Sequence, residues 1–337
     1  MRRTIWLVLA LFMTLSTWGK VKLPSIIGDN MVLQRSSCVN IWGWADSFQK
    51  ITVEPSWNHQ VYATQADGDG KWLLQIQTPV AGGPYYIQIS DGEILMLNDI
   101  LIGEVWICSG QSNMEMPVHG FYGQPVAGSL DEIFEAKQYS GIRMFTVPPT
   151  PAKYPQENCG GSWLQSTPES VRDFSAVGYF FGKNLNRVLN IPIGLITANC
   201  GGIAIEPWMT IEAIKETVGI NQELAFTPQV KTEAANASYL FNGMIAPIRN
   251  YASRGFIWYQ GESNQHNYFD YDKLMTSMVK LWRREWKNEG MPFYYVQLAP
   301  FPYDGAEKIA LPLVIEAQYK ALQNIPNAGI AATTDLG

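Results

Sequence analysis

From residue 101 onward the chain alternates short apolar runs with amphipathic stretches, and this rhythm limits the fold more than any other feature. The runs at 104–108, 193–198, 255–259, 293–298 and 329–333 are short and mainly apolar. Between them, 173–189, 233–245, 271–287 and 313–323 read as helices, the second of these stopped by Pro247. In the first, Phe174, Val177, Phe181, Leu185 and Val188 recur at helical spacing, with Asp173 available as a cap. Continuous apolar strands separated by helices predict a parallel sheet covered on both faces. Residues 120–165, rich in Pro, Gly and Tyr, are predicted to form long loops around a site.

The preceding residues have a different period. Alternating runs at 39–44, 50–53, 60–63, 72–76 and 85–89 are separated by Ala66-Asp67-Gly68-Asp69-Gly70, Ala81-Gly82-Gly83-Pro84 and Ser90-Asp91-Gly92. Short strands at this spacing predict a β-sandwich. His59 falls between two of them and reads as a surface-loop residue. At the start, Arg2-Arg3 precedes an apolar run at 5–15 and then Ser16-Thr17-Trp18-Gly19-Lys20, the pattern of a signal peptide. The run is short for a membrane span; a retained anchor is the alternative. The 337 residues thus divide into a leader at 1–19, a small all-β sandwich domain at 20–100 and an α/β domain at 101–337. No second apolar span follows, which predicts a secreted or periplasmic protein with no membrane partner once the leader is cut.

Net charge is −6, from 24 basic and 30 acidic residues, and no basic cluster occurs, which argues against a nucleic-acid partner. Twelve Trp and 16 Tyr hint at a carbohydrate ligand, since exposed aromatic rings stack on sugars. Cys38, Cys108, Cys159 and Cys200 show no C-x-x-C spacing and no grouped histidine, so no structural zinc site is expected; disulfide pairing stays open.

Three strand ends carry the chemistry. Ser109-Gly110-Gln111-Ser112-Asn113 follows the first strand, Asn199-Cys200-Gly201-Gly202 the second, and Gln260-Gly261-Glu262-Ser263-Asn264 the third. Ligands of open parallel sheets bind outside the carboxyl ends of strands, so these three loops are predicted to converge. Ser112 on its tight turn offers a nucleophile, Gly201 and Gly202 offer unobstructed backbone N–H groups, and Asn264 offers a side-chain amide. That combination suits a tetrahedral acyl intermediate. Each loop alone is ordinary turn chemistry; the set of three is not. Cys108, inside its strand, reads as a buried thiol or half-cystine rather than a second nucleophile. Glu206 and Trp208 are candidate sugar contacts, and Glu115 with Glu262 makes no convincing glycosidase pair.

Gly-Gln-Ser-Asn-Met at 110–114, the Gly-Gly of 199–208 and Trp258-Tyr259-Gln260-Gly261-Glu262-Ser263-Asn264 resemble the SGNH hydrolases, most of all their sialate O-acetylesterase branch. Asp29-Asn30-Met31-Val32-Leu33-Gln34 and Leu240-Phe241-Asn242-Gly243-Met244-Ile245-Ala246-Pro247 extend the likeness to nearly the whole mature chain. The resemblance implies a three-layer α/β/α domain behind the sandwich, no metal or organic cofactor, and removal of acetyl groups from sugar hydroxyls. O-acetylated sialic acid leads as substrate, with acetylated plant polysaccharide (acetylxylan type) as the alternative. It also implies Ser112 as nucleophile, Gly201, Gly202 and Asn264 as the oxyanion hole, and Gln111, Glu206, Trp208 and Glu262 as candidate substrate contacts. In one respect the chain departs from the family. The acid–base Asp and His expected after the last strand are not present in this chain, which reads as incomplete at its C-terminus. Of the three histidines, His119 and His266 lie near the motifs but not at the base position, and Asp335 is a candidate orienting acid. A chain without its base is expected to be a poor esterase, and a non-catalytic sugar-binding remnant is the reading from another class.

Overall fold

The computed structural model describes residues 20–219, 232–301 and 309–335. The leader expected at 1–19 lies outside them. Six short strands come first: β1 (Val32–Gln34), β2 (Cys38–Trp44), β3 (Lys50–Pro55), β4 (Tyr62–Gln65), β5 (Lys71–Gln77) and β6 (Gly82–Ser90). In β5 Trp72, Leu74 and Ile76 are buried while Lys71, Leu73, Gln75 and Gln77 are exposed, the period of a half-buried strand. β2 pairs with β5, and β3 with β4 and β6, all antiparallel.

β7 (Ile94–Gly110) then runs unbroken for 17 residues. Its first half pairs antiparallel with β6, and Leu101–Gly103 pairs parallel with β1. Its second half enters the parallel sheet, so one strand spans the division expected near residue 100. The polar pair Asn98-Asp99 obscured this. Asp99 takes a positive φ of 54°, but its carboxylate accepts from Arg143 and Gln165, each at 2.8 Å, and the strand continues past it.

The remaining strands are β8 (Ile142–Thr146), β9 (Trp163–Gln165), β10 (Ile193–Asn199), β11 (Gly255–Tyr259), β12 (Phe293–Val296) and β13 (Ala328–Ala331). Their order is β13-β12-β11-β7-β10-β8-β9, and every pairing but β8–β9 is parallel. The helices are α1 (Ser112–Glu115), α2 (Ser129–Glu135), α3 (Pro168–Arg172), α4 (Ala176–Leu189), α5 (Ile211–Val218), α6 (Tyr271–Glu285) and α7 (Ala310–Asn324). α4 packs on one face of the sheet, where Phe181 meets Trp106 edge-on at 5.0 Å. α6 packs on the other, where Trp282 lies 5.2 Å from Phe256 and 5.7 Å from Trp258. Strand alternation explains the split, since Ile257 points away from its two neighbours. Beyond α4, Val177, Phe181, Ile257, Tyr294, Val296 and Ile330 line an apolar groove on the first face.

Three expectations need correction. The region 120–165 is not only loop: it holds α2, β8 and β9, and β8 is an interior strand. Residues 233–245 do not form one helix. They hold a 3₁₀ turn at Glu233–Ala235 and a π turn at Phe241–Ile245. The Asn242 amide donates to the carbonyls of Ala152 and Lys153, and Ala152 N–H to that of Tyr239, so long-range bonds override the helical spacing. Finally, Ser175 rather than Asp173 caps α4, accepting from Gly178 N–H. Among the described residues no helix is long and apolar enough to cross a membrane.

Candidate active site

β7 lies between β10 and β11, and the three strands end in register: Gly110 is level with Asn199 on one side and Tyr259 on the other. Gly110 needs to be glycine. Its φ is +147°, and a Cβ there would sit 2.1 Å from the Tyr259 carbonyl oxygen. The backbone turns between its neighbours, with Gln111 N–H donating to Tyr259 O and Cys200 N–H to Gly110 O, both at 3.0 Å. Ser112 opens the single turn α1, anchored by fully buried Met114, whose carbonyl accepts from Ser175 Oγ at 2.6 Å. Gly201 lies against Ser112. A Cβ on it would be 3.6 Å from Ser112 Cβ and 2.7 Å from Glu115 Oε2, so a side chain there would fill the cleft. Among the described residues, the Ser112 hydroxyl and the N–H groups of Gly201 and Gly202 have no hydrogen-bond partner.

The third loop is tied to the other two by a buried polar network. Gln111 Oε1 accepts from Gly261 N–H at 3.2 Å and Ser263 N–H at 3.3 Å. Asn113 Nδ2 donates to Glu262 Oε1 at 2.6 Å, and Glu262 Oε2 is buried without a partner. Asn264 is fully buried and engaged at both ends. Its Oδ1 accepts from Ile205 N–H at 3.0 Å and Gln260 Nε2 at 2.7 Å, while its Nδ2 donates to Glu206 Oε2 at 3.1 Å and Asn267 Oδ1 at 3.0 Å. Asn267 Nδ2 in turn donates to Glu206 Oε1 at 2.6 Å. Burial raises the carboxyl groups of Glu206 and Glu262 above the usual carboxylate range, opposed at Glu206 by these hydrogen bonds and by His266. Such a network is stable because every member but one oxygen is satisfied.

The structure therefore brings Ser112, Gly201, Gly202, Gln111, Glu262 and Asn264 to one edge of the sheet. Three candidate sugar contacts are corrected. Gln111 is buried and its Oε1 is spent on the Gly261 and Ser263 N–H groups. Trp208 is fully buried against Trp258 at 6.0 Å and offers no face to a ring, and Glu206, 4% exposed, touches Asn264 and Asn267 instead of solvent. His119 Nε2 lies 3.4 Å from Asp173 Oδ1 on the surface, and Asp335 is exposed beyond β13. All four cysteines are free thiols. Burial pushes Cys159 up to about 12 and Cys200 up to about 11, with Glu115 adding to the latter, and raises the fully buried Cys108 further. None of these three is a nucleophile at neutral pH. Sequence reasoning missed Asn113, Gln260 and Asn267 as parts of the network. The first two stood inside the motif strings, where a polar residue at a buried strand end was the available signal.

Residues 102–337 match the family described as carbohydrate esterase, sialic acid-specific acetylesterase. The chain is 28% identical to the sialate O-acetylesterases of Pongo abelii and of Homo sapiens, over 98% of its own length and 69% of theirs. Among solved structures, a carbohydrate acetylesterase from Xanthomonas citri superposes with a TM-score of 0.84 at 32% identity, covering 94% of this chain and 69% of that one.

Proposed function

The chain belongs to the carbohydrate esterase family of sialic acid-specific acetylesterases, and from that premise we propose that it removes O-acetyl groups from sugars, O-acetylated sialic acid first among them. The observation that carries this is the shared register of Gly110, Asn199 and Tyr259, which sets Ser112 between the Gly-Gly loop and the Asn264 loop. In this reading Ser112 Oγ attacks the acetyl carbonyl, and water later releases acetate from the acyl-enzyme. The N–H groups of Gly201 and Gly202 and the Asn264 amide receive the developing oxyanion. Because both Asn264 Nδ2 hydrogens are engaged, the acyl oxygen replaces Asn267 Oδ1 as acceptor. Glu262, half-buried at this edge, meets the sugar. Residues 20–100 act as a sandwich domain ahead of the esterase domain at 101–337, in a protein that is exported after loss of residues 1–19.

A serine hydroxyl at neutral pH needs a base beside it. Ser112 Oγ has no such partner among the described residues, His119 is paired with Asp173 on the surface, and His266 acts electrostatically on Glu206. We therefore assign neither histidine as base and expect this chain to hydrolyse slowly, near the residual rate of triads that lack a member. The test is acetate release from an aryl acetate, O-acetylated N-acetylneuraminic acid and acetylxylan. Ser112→Ala should abolish it without moving the melting temperature, and the sialic acid ester should be preferred to acetylxylan. Equal rates from Ser112→Ala would overturn the nucleophile. Sugar binding with no acetate release at all would turn the reading to a non-catalytic binding module.

A further inference from the structure

The sheet edge opposite Ser112 holds a cavity of about 560 Å³ that the acyl-transfer reading does not use. It opens where the chain enters three parallel strands: Arg254, Pro292 and Asn327 immediately precede β11, β12 and β13. Its volume is within the range of roughly 300–1,000 Å³ usual for small-molecule sites.

Its charge is unbalanced. The buried carboxylate of Glu104 accepts from Arg35 Nε at 2.6 Å, and Arg254 Nε lies 3.7 Å from its other oxygen. One anion thus faces two guanidinium groups. Both are drawn in by Nε alone, and among the described residues their Nη groups have no partner. The side chains remain 37% and 59% exposed. A guanidinium with free Nη groups is suited to a planar carboxylate. The other walls are hydroxyl and amide groups from Ser36, Ser37, Ser253, Asn288 and Asn327. Tyr294 adds a half-exposed ring, held by stacking on Trp106 at 5.6 Å and 25°.

We propose that this cavity binds a sugar acid, a monosaccharide whose carboxylate sits on the Nη groups of Arg35 and Arg254. Its ring hydroxyls meet the serine and asparagine side chains and its apolar face meets Tyr294. The residual positive charge selects an anion, and the polar walls and ring select a polyhydroxylated one over a bare ion. The site is independent of Ser112 and of the esterase reading.

Titration calorimetry tests it with N-acetylneuraminic acid, glucuronic acid, glucose and sulfate on the whole chain. Arg254→Ala and Ser36→Asp are the variants, because both positions are exposed and both leave the Arg35–Glu104 pair intact; Arg35→Ala would strip a buried carboxylate of its partner. The acidic sugars should bind, each variant should weaken them about tenfold, and melting temperature and acetate release should not change. Four results overturn the proposal: no binding of either acidic sugar, equal affinity for glucose, equal affinity for sulfate, or wild-type affinity in both variants. The last would place the bound sugar at the Ser112 edge.

Discussion

The two edges of the parallel sheet share β11 and have opposite chemistry. At the carboxyl edge the polar side chains satisfy one another. Gln260, Asn264, Asn267 and Glu206 form a closed set, Gln111 holds two backbone N–H groups, and what is left over among the described residues is the Ser112 hydroxyl, two glycine N–H groups and Glu262 Oε2. At the amino edge charge is left over, with two guanidinium heads on one carboxylate, and Ser253, Asn288 and Asn327 are each held by one local hydrogen bond around a void. The difference teaches what each edge is built for. A reacting group must be held within a fraction of an ångström, and a saturated network does that. A binding cavity leaves its donors for the ligand.

The firmest break of this contrast is Gly110→Ala. A Cβ 2.1 Å from Tyr259 O, at φ +147°, should cost about 3 kcal/mol or more and loosen all three strand ends together, read by urea unfolding. Asn264→Ala comes next. It removes the proposed amide donor, leaves Ile205 N–H without its acceptor and costs Gln260 Nε2 one of its two. A loss of on the order of a hundredfold in kcat is expected; an unchanged kcat would remove Asn264 from the oxyanion hole. Glu206→Gln is subtler, since it sets an NH2 group against the amide of Asn264 or Asn267. Burial raises Glu206 in the folded state. Below the usual carboxylate range it is protonated folded and unfolded alike. As pH climbs from that range to the raised value the unfolded chain ionises first, so its contribution to stability is lost across that window and constant above it. Glu206→Gln should delete this part of the slope in melting temperature against pH, while the part due to Glu262 stays. His119→Ala should do least, because its ion pair with Asp173 is solvent-exposed. A collapse of acetate release in that variant would make His119 the base after all.

Much of this edge was legible in the sequence because strand ends are local. The apolar runs at 104–108, 193–198 and 255–259 could be read from composition, and once a parallel sheet is granted, the loops after them must meet. What could not be read depends on partners far away. β8 was hidden by Arg143, a charge inside an interior strand, tolerated only because Asp99 and the Ser140 carbonyl receive its guanidinium. The helical spacing of 233–245 was real, but the loop at 150–156 binds its backbone and amide into other geometry. Glu206 and Trp208 stood in the right loop, and nothing local says that both turn inward. The amino-edge cavity joins residues more than 200 positions apart, Arg35 and Arg254, and has no linear signature.

β7 has a further consequence, for how the molecule comes apart. Its backbone pairs with β6 and β1 at one end and with β10 and β11, the strands flanking Ser112, at the other, so melting either end exposes ladder groups of the other. The slowest-exchanging amides should therefore cluster from Leu101 to Ser109, and the β-rich and α/β portions should lose protection in one cooperative step. Two separable waves of deuterium uptake, with the β-rich portion first, would show that the strand can fray at Asp99.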